Sequence, residues 1–203
     1  MKYLTFEKAM QTFPVFSIKD IEKQFPGFDR RRLVEWQEKG YLTKIRRGFY
    51  YLSVKRKDQD LLYFAANKIY SPSYISLESG LAFYGLIPEA VFSTISASTR
   101  NTASFDTPVG HFKYRHIKPT LFFGYKLIKT EGVALKIAEA EKVILDYLYL
   151  NKVNSFDEME ALRWNKAQII EVIDFQKLNQ YLKVFDSLVL NKRINLFKKM
   201  MHA

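Results

Sequence analysis

The sequence predicts an α+β fold with a helical C-terminus. Three observations carry this expectation: three short helix signals crowded at the N-terminus, a β-prone hairpin directly after them, and a mixed run of helices and strands that gives way to helices from Ala138 onward. Composition agrees with a packed chain. Of 203 residues, 48% are hydrophobic and 16% aromatic, which is not the polar, highly charged mixture that stays disordered. The absence of cysteine excludes disulfides, thiolate metal sites and a cysteine nucleophile together. Met1 to Met10 carries Lys2, Glu7 and Lys8 and lacks an apolar signal core, and no apolar run is long enough to span a bilayer. A soluble, cytoplasmic protein with no membrane partner is expected.

In the first segment, Thr5 is expected to cap a helix over Phe6–Phe13, where Phe6, Ala9, Met10 and Phe13 recur at helical spacing and Pro14 ends the run. Ser17 caps a second helix through Gln24, and Phe25-Pro26-Gly27-Phe28 reads as a tight turn. Asp29 caps a third helix that runs to Lys39 and stops at Gly40, with Leu33, Val34 and Trp36 as its seating face. Tyr41–Ile45 and Phe49–Leu52 are two strands joined through Arg46-Arg47-Gly48. Three helices followed by a hairpin describe a winged helix-turn-helix.

The charged stretch Lys55-Arg56-Lys57-Asp58 is the expected boundary, dividing the chain into a DNA-binding domain over 1–57 and a mixed α/β domain over 58–203. In the second part, Leu61–Ile69 and Leu77–Tyr84 read as helices, the latter closed by Gly85. Val91–Thr99, Gly110–Ile117 and Phe122–Ile128 read as strands. Helices follow over Glu139–Leu150, Asp157–Trp164, Asp174–Phe185 and Ser187–Met200. Val143, Ile144, Tyr147 and Leu148 form the expected buried stripe of the first of these.

Charge is concentrated where the helix-turn-helix is expected. Residues 1–57 hold 14 lysines and arginines against 6 acidic residues, while residues 58–203 hold 18 against 15. Such asymmetry points to a localised footprint on an anionic partner, here double-stranded DNA. The third helix opens on Arg30-Arg31-Arg32, where guanidinium groups reach base edges or phosphate in the major groove. Cations at a helix N-terminus oppose its dipole, and a phosphate at that site would reverse the conflict. Arg46 and Arg47 form a second cluster at the hairpin tip, with Lys44 and Tyr50 beside it, suited to minor-groove or backbone contact. The expected DNA-binding set is therefore Arg30, Arg31, Arg32, Lys44, Arg46, Arg47 and Tyr50.

Five segments, in this order and spacing, carry a family resemblance: Leu42–Tyr50, Tyr74–Leu81, Tyr84–Ile87, Thr107–Tyr114 and Ala138–Asp146. Together they resemble the AbiEi-like antitoxin family of bacterial type IV toxin–antitoxin and phage-defence systems. The resemblance implies an N-terminal winged helix, a C-terminal antitoxin domain, and autorepression through inverted repeats in the promoter of its own operon. It also implies functional pairing with a nucleotidyltransferase-like toxin, without a stable complex between the two proteins. The chain departs from the family pattern at Glu139-Ala140-Glu141, where a small residue followed by proline is expected before the glutamate. Within these motifs the apolar residues read as core and Ser76 as an N-cap, with Glu78 and Asp146 as functional polar groups the weaker alternative.

Other classes leave weaker traces. A metal-dependent nuclease of the restriction type needs an acidic residue two before a lysine, and no lysine here has one. Phosphate-binding glycine loops, the H-E-x-x-H helix and the G-x-S-x-G elbow are also absent. His111 and His116, five apart on one strand, point to opposite faces. No cofactor, metal site or catalytic residue is expected. The remaining alternative is a winged-helix adaptor that binds protein. Lys192, Arg193, Lys198 and Lys199 on the last helix are candidates for a partner, a dimer interface or DNA, but read first as the solvated basic face of an amphipathic helix packed on the second domain.

Overall fold

A computed structural model describes residues 1–55, 57–130 and 133–202, and Arg56 of the expected boundary stretch lies outside them. The architecture is mixed α+β, with helices and a small sheet first and a helical C-terminus. Helix α1 (Tyr3–Met10) lies earlier than its apolar spacing suggested, so Thr5 sits inside the helix. Its first turn is held by Tyr3, whose ring packs on Trp36 and Tyr41 at centroid distances of 5.4 and 4.4 Å.

Strand β1 (Phe16–Ser17) leads into α2 (Ile18–Gln24), which starts where Ser17 predicts. A reciprocal cap explains this: Ser17 Oγ accepts from the Asp20 amide at 3.2 Å, and the Asp20 carboxylate accepts from the Ser17 amide at 2.7 Å. Ser17→Ala is expected to cost about 1 kcal/mol, read as a lower urea midpoint at unchanged slope. An unmoved midpoint would show that this cap adds nothing. Helix α3 (Arg31–Glu38), β2 (Leu42–Arg46) and β3 (Phe49–Leu52) follow, and the strands assemble in the order β1-β3-β2. Phe6, Met10, Phe16, Ile21 and Trp36 form the core between these helices and strands.

The rest of the chain is built on a six-stranded sheet in the order β6-β7-β5-β4-β9-β8. Its members are β4 (Ser73–Ile75), β5 (Ser93–Ser98), β6 (Ala103–Thr107), β7 (Gly110–His116), β8 (Tyr125–Thr130) and β9 (Val133–Ala138). Strands β5, β7 and β8 match the expected strands to within a few residues, whereas β4, β6 and β9 were not anticipated. Each of those three takes its strand character from neighbours. Three-residue β4, for example, lies between β5, antiparallel to it, and β9, parallel to it.

Alternation along these strands separates two cores. Ile75 and Ile137 face α4 (Gln59–Ile69), whose Leu61, Phe64 and Ile69 share a cluster with Val15, Ile45 and Tyr51 from the N-terminal segment. Their neighbours Tyr74 and Ala138 face the opposite cluster, formed with α5 (Leu77–Phe83), α6 (Ala140–Leu150), α7 (Phe156–Ala161), α8 (Lys166–Val172), α9 (Phe175–Phe185) and α10 (Leu188–His202). Helix α8 was not expected.

Helix α6 departs most from its sequence reading. It was expected to bury one stripe of Val143, Ile144, Tyr147 and Leu148; Tyr147 is only half-buried, while Glu141, Lys142, Leu145 and Asp146 are buried along with the other three. Sheet and helices enclose it, and Gly80 of α5 lets the two helices touch: a Cβ there would meet Val143 Cγ2 at 2.6 Å. The charges on α6 are answered locally. Lys142 and Asp146, both fully buried, form an ion pair, and the hydroxyls of Tyr74 and Ser76 each donate to Asp146 Oδ2 at 2.9 Å. Ser76 thus stands at the N-cap position of α5 without capping it, because its hydroxyl is committed across the core.

Arg193 does not lie on the exposed side of α10. It is buried, with its guanidinium donating to the Leu148 carbonyl at 2.8 Å and to Asn154 Oδ1 at 3.0 Å, so it anchors α10 instead of joining a solvated basic face.

Candidate nucleic-acid interface

Sequence places the arginines of α3 through one turn. Phe25 to Phe28 closes α2, with Gly27 at φ +76°, a conformation that favours glycine. Asp29 then holds the start of α3: its Oδ1 accepts from the Arg31 amide at 3.1 Å, and its carbonyl accepts from the Arg32 amide at 3.1 Å. Leu33 and Trp36 seat the helix, with the Trp36 ring 4.7 Å from Phe6 and 5.9 Å from Phe28. Val34 does not join them and is 57% exposed. Leu33 and Trp36 lie three apart on one side of the helix, and Val34 is turned away from that side.

The three arginines lie together at the head of α3, but not in the same state. Arg30 reaches back to α2 and donates from Nε to Glu22 at 3.0 Å. The Arg31 side chain is 92% exposed and pairs with Asp29 at 3.0 Å. That hydrogen bond lowers the Asp29 carboxyl pKa and raises that of Arg31. Arg32 has no acidic partner within 4.0 Å among the described residues. The carboxylates that temper the cluster are Glu22 and Asp29, while Glu35 is taken by Lys39 at 2.6 Å. Asp29 also supplies the negative charge that the N-terminus of the helix favours.

The hairpin divides its basic residues. Lys44 and Arg47 are exposed, Arg47 beside Gly48 in the turn. Register shifts between Lys44 and Arg46, and a bulge of this kind re-aims the side chain that follows it. The Arg46 guanidinium lies 3.6 Å above the ring of Phe105 on β6, so this arginine docks the hairpin on the large sheet by a cation–π contact. A phosphate would have to compete with that contact. Tyr50 is 6% exposed and packs in the N-terminal core, where burial raises its hydroxyl pKa. Its burial takes it off the surface where the sequence placed it: on β3 its ring fills the space between the helices and the strands.

A second bridge joins the same parts, from Lys68 on α4 to Asp20 at 3.0 Å. Neither bridge has a sequence signal, since each joins residues distant in the chain. Elsewhere, His111 contacts Asp106, and His116 Nδ1 lies 3.0 Å from the Arg100 carbonyl. Among the described residues there is no group of three or more His, Asp or Glu side chains placed to hold a metal ion, and no helix long and apolar enough to cross a membrane.

No curated protein matches the chain. Residues 4–53, the segment from α1 through β3, match the family described as transcriptional regulator, AbiEi antitoxin, the family expected from the sequence.

Proposed function

We propose that this protein is a DNA-binding repressor and the antitoxin of a type IV system, with residues 1–57 as a winged helix-turn-helix and residues 58–203 as the antitoxin domain. The observation that carries the reading is the basic head of α3, with Arg30 and Arg31 exposed and Arg32 partly buried beside them, on a helix seated by Leu33 and Trp36 within the segment that matches the regulator family. Helix α3 enters the major groove, and the arginines select bases there. Lys44 and Arg47 hold the flanking backbone, and Arg46 fixes the hairpin against the second domain. The two units share a packed cluster of Val15, Ile45 and Tyr51 with α4.

In this reading the protein is a cytoplasmic, non-enzymatic regulator that binds inverted repeats in its own promoter. It counteracts a nucleotidyltransferase-like toxin without forming a stable complex with it. A mobility-shift titration of the full chain on that promoter, repeated at several salt concentrations, tests the proposal. The promoter should be retained in preference to a scrambled duplex, with affinity falling by about 0.9 log unit per log unit of salt for each phosphate neutralised. Absence of retention, or equal retention of both duplexes, overturns it.

A further inference from the structure

We infer that Val34 reads a thymine, packing on its C5-methyl group next to the base pair contacted by Arg31. This rests on the DNA-binding reading of α3 and adds to it a residue whose chemistry differs from that of the arginines. Leu33 and Trp36 fix the side of α3 that faces the core. At about 100° per residue, the opposite side carries Arg31, Val34, Glu35 and Glu38. Val34 is the apolar member of that group. It is 57% exposed and lies outside the N-terminal core cluster.

A single exposed valine is ordinary on a protein surface, so its position carries the argument. It stands one turn beyond Arg31, on the face that meets the groove if the arginines do. Three residues advance the helix by about 4.5 Å, and a base-pair step is about 3.4 Å, so Val34 falls on the neighbouring pair or just past it. As a β-branched residue in a helix it keeps essentially one rotamer, presenting its methyls in a fixed direction at little entropic cost. Thymine is the base that offers a methyl group in the major groove. Of the charged residues on this face, Glu35 is paired with Lys39 at 2.6 Å and Arg31 with Asp29 at 3.0 Å, and Glu38 lies one turn further along. Val34 is the one apolar side chain among them.

The test uses the full-length chain and duplexes enriched with it from a randomised pool. Each thymine of an enriched duplex is replaced singly by deoxyuridine, which removes one methyl and keeps base pairing. At one thymine of the half-site, within two base pairs of a guanine whose selection depends on Arg31, replacement should weaken binding about fourfold, the value of one buried methyl. Val34→Ala should weaken binding to the thymine duplex by a similar factor and be indifferent to the replacement. Val34→Thr, which keeps the shape and one methyl, should retain part of the discrimination. If both Val34→Ala and the original chain respond identically to every deoxyuridine, the inference is wrong while the regulator reading stands. If no duplex is enriched, the regulator reading falls and takes this inference with it.

Discussion

Asp146→Ala is expected to destabilise the protein by about 3–5 kcal/mol, the usual cost of leaving one member of a buried ion pair behind. Asp146 and Lys142 are both fully buried on α6, a turn apart, and the carboxylate also accepts from the hydroxyls of Tyr74 and Ser76 at 2.9 Å. Burial lowers the Lys142 pKa, and the Asp146 charge works against that shift. Without Asp146 the ammonium must stay charged among the rings of Tyr74, Phe123 and Phe185, or release its proton. Two hydroxyls are deprived of their acceptor at the same time. The pairing makes a sharper claim. Lys142→Met combined with Asp146→Leu should recover the part of the loss that comes from the unpaired ammonium, while the buried hydroxyls of Tyr74 and Ser76 stay without their acceptor. Guanidinium unfolding measures both, and a single-variant effect below about 1 kcal/mol would show that the pair is not what holds α6 in place.

Arg31→Ala is expected to lower affinity for the promoter by about 1–3 kcal/mol while leaving affinity for random DNA much less changed, because a bidentate arginine–guanine contact discriminates between bases. Arg32→Ala should behave alike. Arg47→Ala and Lys44→Ala should weaken promoter and random duplexes together and flatten the salt slope by about one unit for each phosphate no longer neutralised. Arg46→Ala belongs with neither group, since its guanidinium rests on Phe105 at 3.6 Å, and its effect should follow the placement of the hairpin. Titrations of each variant against both duplexes at two salt concentrations make the comparison. Equal weakening on both duplexes for Arg31→Ala and Arg47→Ala would refute the division into reading and anchoring residues.

From Ser17 to Leu52 the N-terminal segment was legible because its signals are local, whereas α1 starts before its expected Thr5 cap. The Ser17 cap, the turn at Gly27, the Gly48 hairpin and the apolar spacing of α2 and α3 each act over a few residues, and the observed elements follow them closely. The larger sheet was legible where its strands were long and rich in aromatic or branched residues, as in β7. It was not legible in β4, with its three residues, or in β6, whose Ser104 and Asp106 are uncharacteristic of strands. Those segments are strands because backbone partners lie beside them.

The individual side chains divide in the same way. Sequence alone determined that Arg30, Arg31 and Arg32 open a helix and that Lys44 and Arg47 flank a turn, because composition and caps place charges along the chain. Only the tertiary structure decided which of the basic residues remain free. Arg46 turns onto Phe105, Tyr50 sinks into the core, Arg193 is enclosed and Val34 is left in water. The same holds for Asp146 and Ser76, which lie 70 residues apart in the chain yet share a hydrogen bond. Helical periodicity reports that one face of an element is apolar, but a side chain's surroundings depend on how many elements pack around it. Around α6 they close over most of the helix, and around the outward face of α3 none arrives.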